Sequence, residues 1–302
     1  MPDVQPTTVS VENPQSYEDT HVHAVYDEIA PHFASTRYKP WPIIAAFLAS
    51  LPTGWIGVDL GTGNGKYLPL PADRPGSVWT IGYDRSINLL KIAKRAGDVD
   101  REVVLGDVLD NPWRKGAFDY AISIATIHHL ATPARRKLAV QRLLQTISPS
   151  HGRGLIYVWA IEQDDLSKRS IPTCPNPKDS RFDIFTLINK GQDVFVPWVL
   201  AQQADPKPKG RKGKKTHAIS SEESEPAPTA PSSPPKVFER YYHMFAHGEL
   251  TDLVTEAALE TGLVIGQPPE AIVPGRKIQG VQIVQDGWER SNYYVEVHRW
   301  EL

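Results

Sequence analysis

Within VDLGTGNGKY (58–67) the chain carries an acid followed by glycines at alternate positions: Asp59-x-Gly61-x-Gly63-x-Gly65. Such spacing lets a ligand come close to the backbone, and the acid decides which ligand. The dinucleotide fingerprint G-x-G-x-x-G needs its third glycine where Lys66 stands, and no G-K-[ST] follows at P-loop spacing. A carboxylate at the mouth of the loop repels a phosphate and suits an ammonium or sulfonium cation. Two further acids agree. Asp84, in IGYDRS with Arg85 beside it, stands about 20 residues on, where a carboxylate accepts hydrogen bonds from both hydroxyls of a ribose. Asp107, in LGDV with Val108 beside it, falls where the adenine of a nucleoside lies. A glycine turn with solvated acidic caps is the alternative, but it gives no reason for the acids to agree. A cationic nucleoside without phosphate meets the whole set, and S-adenosylmethionine is such a molecule.

The elements that must position these residues are readable as an alternation. WIGVDLG, VWTIGYD, REVVLGD, AFDYAISIA and GRGLIYVWA read as buried strands. Between them SINLLKIAKRA and TPARRKLAVQRLLQTI have helical periodicity, the second with Thr132 as N-cap and Pro133 at the first helical position. This is an α/β chain with a parallel sheet covered on both faces, its acids at the carboxyl ends of successive strands. Upstream, Val22, Val25, Tyr26 and Ile29 predict a helix from near Thr20 to Pro31, and KPWPIIAAFLAS predicts a second. Residues 1–20 are polar and aperiodic and read as a flexible arm. Residues 21–302 read as one domain, interrupted at about 205–235 by a basic, then acidic, then Pro/Ser-rich insertion expected to be disordered. VFERYYHMFAHGELTDLVTEAALETG reads as a turn and an amphipathic helix, with LVIGQ and SNYYVEVHRW as closing strands.

Bulk properties exclude several classes. A formal net charge of −2 gives no general sign of nucleic-acid binding, so any RNA contact needs a local patch. The single Cys174 leaves no internal disulfide and no cysteine-rich metal site, and no metal-ligand set is expected. No apolar run approaches a membrane span and the first residues lack a signal-peptide pattern, so no membrane contact is expected. Together these favour a reducing compartment, cytoplasmic with the nucleus also compatible.

The glycine loop and acids resemble the class I S-adenosylmethionine-dependent methyltransferases. HVHAVYDEIAPHFASTRYKPWPII, AISIATIHHL, LIYVWAIEQ, DVFVPWVL, RYYHMFAHGEL and GWERSNYYVEV further resemble the eukaryotic, fungal-type tRNA carboxymethyluridine methyltransferases. That resemblance implies a Rossmann-like fold with a mostly parallel seven-stranded sheet. It implies methylation of the carboxylate of 5-carboxymethyluridine at the tRNA wobble position, giving the methyl ester. It also implies a heterodimer with a small zinc-binding activator, the zinc belonging to that partner.

A carboxylate acceptor has a pKa near ~4 and is ionised at neutral pH, so no general base is needed. The protein must hold it in line with the methyl donor and offset its desolvation, a task suited to the two-pronged contact of an arginine. Arg37, in STRYK, is the first candidate, an exposed loop arginine being the alternative. His128 and His129 follow the fourth strand, and one of them is expected to orient uracil or carboxylate as a donor; a surface pair is the alternative. Tyr26 packs against methionine or uracil, or simply in the core. Tyr38 and Trp41, interleaved with Arg37 and Lys39, suit the stacking of an extruded base of the anticodon loop, core aromatics being the alternative, and Lys39 is also a candidate phosphate contact. Arg135 and Arg136, with Lys137, Arg142, Arg290 and Arg299, are candidate phosphate contacts, or a solvated face. In the strand order 3-2-1-4-5 usual for such sheets, Val103, Val104 and Leu105 form an apolar edge, where the activator is expected to dock. A methyltransferase of another carboxylate and a non-catalytic cofactor-binding scaffold are the rival readings. Salt-dependent tRNA binding separates the first rival, and failure of methyl transfer despite cofactor binding identifies the second.

Overall fold

The computed structural model describes residues 3–9, 12–165, 167, 171, 191–200, 236–270, 275 and 277–302. In chain order its elements are β1 (Gln5–Pro6), α1 (Pro14–Glu18), a π-helical turn (Asp19–His23), α2 (Ala24–Thr36), α3 (Pro42–Ser50), β2 (Ile56–Leu60), β3 (Trp79–Asp84) and α4 (Ile87–Ala93). They continue as β4 (Val103–Leu105), β5 (Tyr120–Ile124), α5 (Pro133–Thr146), β6 (Arg153–Trp159), β7 (Gln192–Val199), β8 (Val237–Met244), α6 (Glu249–Glu260), β9 (Val264–Ile265), β10 (Gln279–Glu289) and β11 (Asn292–Glu301). The expected disordered insertion at 205–235 lies outside the described residues.

The main sheet has the order β4-β3-β2-β5-β6-β11-β10-β9, with β4 through β6 parallel, β11 antiparallel to β6, and β10 antiparallel to β11 and so running in the direction of the parallel strands again. It has eight strands among the described residues, not the seven expected, because two-residue β9 pairs parallel to β10 at the far edge. One face buries Val58, Ala121 and Ile156 against α5 and α6, through Val140, Leu143, Leu144, Val254 and Ala257. The other buries Tyr120, Ile122 and Tyr157 against Ile44, Phe47 and Leu48 of α3. Such two-sided burial explains why the parallel strands read as unbroken apolar runs. β10 escaped the sequence reading because most of its side chains are polar and only Gly280 and Val281 are buried. Its tight turn to β11 is built on Arg290 and Ser291, both with positive φ, as a two-residue hairpin of this hand requires.

A second sheet, β1-β7-β8, is antiparallel and was not expected. VFERYYHM is therefore a strand and not a turn. Phe238, Arg240, Tyr242 and Met244 share one strand face and are all buried, while on the other face Tyr241 and His243 are buried and Val237 and Glu239 are exposed. The residues read as a flexible arm take part: Val4 is buried beside Val194 and Tyr242, and Gln5 and Pro6 pair with Phe195 and Val194.

The helix expected to begin near Thr20 instead begins at Pro14, capped by Asn13 Oδ1 on Ser16 N–H at 3.0 Å. Nor does it stop at Pro31, which lies inside α2. Proline removes the N–H that would bond the carbonyl four residues back. That carbonyl, on Asp27, accepts from Asn88 Nδ2 at 3.1 Å instead, so α4 satisfies the orphaned group. The Asp27 carboxylate also accepts from Ser86 Oγ and Asn88 N–H, which fastens α2 across the start of α4. Glu18 is fully buried and accepts from Ala131 N–H at 2.7 Å and from Arg135 Nε and Nη2 at 2.7 and 2.6 Å.

Removing one partner of such a buried pair costs roughly 3–5 kcal/mol. Glu18→Ala is expected to lower unfolding free energy by about that amount in denaturant titration, and a variant as stable as the parent would contradict the assigned role of this contact.

Candidate active site

A cavity of about 340 Å³ opens where β2, β3, β4 and β5 end, roofed by α2, the π-helical turn and β8. Gly61 and Gly63 line it, and both have positive φ, +97° and +57°. A Cβ on Gly61 would run into the Thr126 side chain, whereas Gly63 faces open space with only Phe33 within 4 Å. Gly65 is not in the wall; its Cα packs against Ala93, so the third glycine brings the loop down onto α4.

Asp84 reaches the cavity and fixes the loop. Its Oδ2 accepts from Gly63 N–H and its Oδ1 from Ser86 N–H, both at 2.8 Å. Each oxygen retains a lone pair for a further donor. Burial raises its pKa, and the backbone donors oppose that rise. Arg85 donates to Asp107 Oδ2 and to Asp19 Oδ1, each at 2.5 Å, and so ties the π-helical turn to the end of β4. Val108 lines the cavity beside Asp107. Asp59 departs from expectation. It is 1% exposed and sits beneath the loop, not at its mouth, accepting from Thr62 Oγ1 at 2.9 Å while its Oδ1 has no partner. Burial pushes its pKa up to about 7. The open side of Gly63 and the spare acceptor capacity of Asp84 fit a nucleoside at this wall, with Asp59 behind the loop and outside the cavity.

The opposite wall carries the acceptor-side candidates. His128 is buried, and its Nδ1 accepts from Trp159 N–H at 3.1 Å, which leaves the proton of the neutral ring on Nε2. His129 uses both nitrogens: Nδ1–H donates to the Tyr241 carbonyl at 2.9 Å, and Nε2 accepts from Tyr26 Oη at 3.1 Å. Burial lowers its pKa to about 3, with the charge of Arg240 acting in the same direction. Both ring nitrogens of His129 are thus engaged, one of them on Tyr26, whereas the expected donor role asks for only one of the two histidines. Tyr26 Oη also meets Tyr242 Oη at 2.9 Å and accepts from Arg240 Nη1 at 3.4 Å.

Arg37 lines the cavity from its rim, exposed, its guanidinium 5.3 Å from the Trp198 ring. Tyr38, 63% exposed, and Lys39 follow it outward. Trp41 also lines the cavity, stacked on Tyr157 at 4.8 Å with Lys66 Nζ 4.2 Å from its centroid. Burial lowers the Lys66 pKa to about 8, against the pull of Asp59. Arg135 and Arg136 do not form a phosphate patch: the first is held by Glu18 and Gln15, and the second is buried and donates to the Leu130 carbonyl at 2.9 Å. Lys137 pairs with Glu260, and Arg299 is buried on the carbonyls of Gly280 and Leu144. Sequence reading missed Arg240, Tyr242, Lys66 and Thr126 in the wall. The signal for the first two was the period of two in VFERYYHM, with an arginine on its apolar face.

A family profile described as a methyltransferase domain matches residues 58–148, from the glycine loop to the end of α5. The tRNA (carboxymethyluridine(34)-5-O)-methyltransferase of Schizosaccharomyces pombe is 36% identical over 282 residues, which cover 92% of this chain and 96% of that protein. The protein of the same name in Saccharomyces cerevisiae is 38% identical over 224 residues, covering 74% and 71%. Among solved structures, 1,6-didemethyltoxoflavin-N1-methyltransferase of Burkholderia thailandensis, with its substrate and S-adenosylhomocysteine bound, is similar with a TM-score of 0.55. It is 14% identical over 98% of this chain and 94% of its own, a likeness of fold alone.

The raised pKa of Asp59 sets a pH dependence. Between the unfolded carboxylate value of about 4 and the folded value, the folded state binds more protons, so this residue costs stability as pH rises. The ligand-free chain is expected to lose stability relative to Asp59→Asn between pH ~4 and ~7 and to hold that difference above; parallel stability–pH curves for the two proteins would contradict this.

Proposed function

The chain belongs to the tRNA carboxymethyluridine methyltransferases, and from that membership we propose that it converts 5-carboxymethyluridine at the wobble position of tRNA to its methyl ester. The observation that carries this reading is a single cavity with an acid-lined nucleoside wall facing a wall of aromatic side chains and arginine. When bound, S-adenosylmethionine supplies an electrophilic methyl group on a sulfonium, which becomes a neutral thioether as the ester forms.

The chain's own residues supply binding and orientation. Asp84 accepts the ribose hydroxyls while its backbone contacts keep the glycine loop in shape. Asp107 and Val108 flank the adenine, with Asp107 held by Arg85. Gly61 and Gly63 let the backbone approach the methionine part, and a positive charge on the ligand favours the ionised form of Asp59 behind the loop. The acceptor carboxylate arrives ionised, so no residue has to take a proton from it. Consistent with this, His129 is neutral and fully engaged, and neutral His128 carries its proton on Nε2, as a donor does. Arg37, Tyr38 and Lys39 stand exposed at the rim, suited to a phosphate and an unstacked base of the anticodon loop.

The zinc-binding activator has a natural site on the β4 edge. β4 pairs only with β3 among the described strands, and its Val104 and Leu105 are 36% and 58% exposed. An exposed apolar edge of this kind invites strand addition. Leu105→Glu is expected to abolish co-purification with the activator while leaving cofactor binding intact; retained co-purification would contradict the docking site.

The reaction is tested with tRNA from cells lacking the methyl ester, incubated with the full chain, the activator and S-adenosylmethionine, then digested for nucleoside mass spectrometry. Carboxymethyluridine is expected to disappear as its methyl ester appears. Unchanged nucleosides with the cofactor still bound would contradict the wobble-uridine reading and leave the cofactor reading standing.

A further inference from the structure

Arg240 is 4% exposed, in the middle of β8, and lines the cavity. Buried arginines ordinarily have their donors answered by carboxylates or carbonyls. The other buried arginines here obey that rule: Arg136 donates to the Leu130 carbonyl, and Arg299 to the carbonyls of Gly280 and Leu144. Arg240 has neither kind of partner among the described residues. Its Nε is buried with no acceptor, and what its other donors meet are tyrosine hydroxyls, that of Tyr26 at a long 3.4 Å from Nη1 and that of Tyr242. What surrounds the charge is aromatic: its guanidinium lies 4.5 Å from the Trp198 centroid, 5.2 Å from Tyr242 and 5.9 Å from Tyr26. Rings compensate a desolvated cation only in part, and they leave the in-plane N–H groups unsatisfied.

A guanidinium kept buried, without a carboxylate or carbonyl partner among the described residues and open to a cavity, is built for an anion that arrives. A planar carboxylate matches its fork with two parallel hydrogen bonds. We infer that Arg240, and not the exposed Arg37, receives the acceptor carboxylate and thereby selects an anionic side chain on the wobble uridine over a neutral one of the same shape. This rests on the acceptor proposed above. Arg37, within 5.3 Å of the same Trp198 ring but out at the rim, is solvated and meets the RNA as it enters. The tyrosines take part indirectly: the hydrogen bonds of Tyr26 to His129 and Tyr242 hold the aromatic wall beside the guanidinium.

The test compares binding of two anticodon stem-loops to the full chain saturated with S-adenosylhomocysteine, one bearing 5-carboxymethyluridine and the other its neutral amide, 5-carbamoylmethyluridine. The parent is expected to prefer the anionic loop by about tenfold or more. Arg240→Met is expected to reduce that preference to about one with S-adenosylhomocysteine affinity unchanged, whereas Arg37→Ala weakens both loops alike. If Arg240→Met does not fold, Arg240→Lys decides, since it keeps the charge but loses the planar fork. Its melting and cofactor affinity are expected to match the parent while the preference falls several-fold. Full preference in a folded Arg240 variant, or its loss in Arg37→Ala, would overturn the inference. A parent chain that binds both loops equally and, given S-adenosylmethionine and the activator in place of S-adenosylhomocysteine, does not esterify the carboxymethyluridine loop fails the proposed function itself, an outcome distinct from a preference that survives the loss of Arg240.

Discussion

Two backbone hydrogen bonds join the halves of this molecule: Phe245 N–H to the Trp159 carbonyl at 2.9 Å, and Ile161 N–H to the Phe245 carbonyl at 2.9 Å. They couple the end of β8 to the end of β6, and so set the small antiparallel sheet over the carboxyl ends of the parallel one. The cavity exists because of this junction. One wall comes from the crossover loops of the parallel sheet, where ligands of open α/β sheets bind. The other is one face of β8, whose alternate residues Arg240 and Tyr242 point inward. Trp159 serves both, stacking on Tyr242 at 4.2 Å while its N–H fixes the tautomer of His128.

Charge is divided between the walls in the sense the chemistry needs. Asp59, Asp84 and Asp107 lie on or behind the nucleoside wall, and Arg240 stands in the other with Arg37 at its rim. A cationic donor and an anionic acceptor are each met by the opposite charge, so neither has to bring its own counter-ion into a dry site. Arg85 prevents the acids from being a simple repulsive cluster, because it neutralises Asp107 and at the same time draws the π-helical turn inward through Asp19. That turn carries Val22 and His23 to the cavity, and burial lowers the His23 pKa to about 4, so it adds no further charge at neutral pH. Wide helical turns of this kind concentrate at functional sites.

The parallel half was legible in the sequence for physical reasons. A strand buried on both faces is a continuous apolar run, and an acid after such a run marks its carboxyl end, which exposed Asp84 and Asp107 to inspection. The direction of Asp59 was not legible, because its side chain alternates with the cavity-facing backbone and turns under the loop. Pro31 looked like a helix stop because the amide that rescues its orphaned carbonyl, Asn88, belongs to a distant element. For the same reason Arg135 looked free: Glu18, its partner, comes from a stretch that composition alone reads as an arm. The β8 strand hid behind its own function. An arginine amid aromatic residues breaks the apolar alternation by which strands are recognised, yet that arginine is what the buried face presents to the cavity.

Donor and acceptor must occupy one cavity against opposite walls for the methyl group to pass between them. A crystal structure of the chain with S-adenosylhomocysteine and 5-carboxymethyluridine bound together tests this most directly. The expected result is the ribose hydroxyls on Asp84, with the uridine carboxylate paired to the Arg240 guanidinium beside Trp198 and Tyr242. A carboxylate held at the solvent rim by Arg37, or a nucleoside lying away from the Gly61–Gly63 loop, would contradict it.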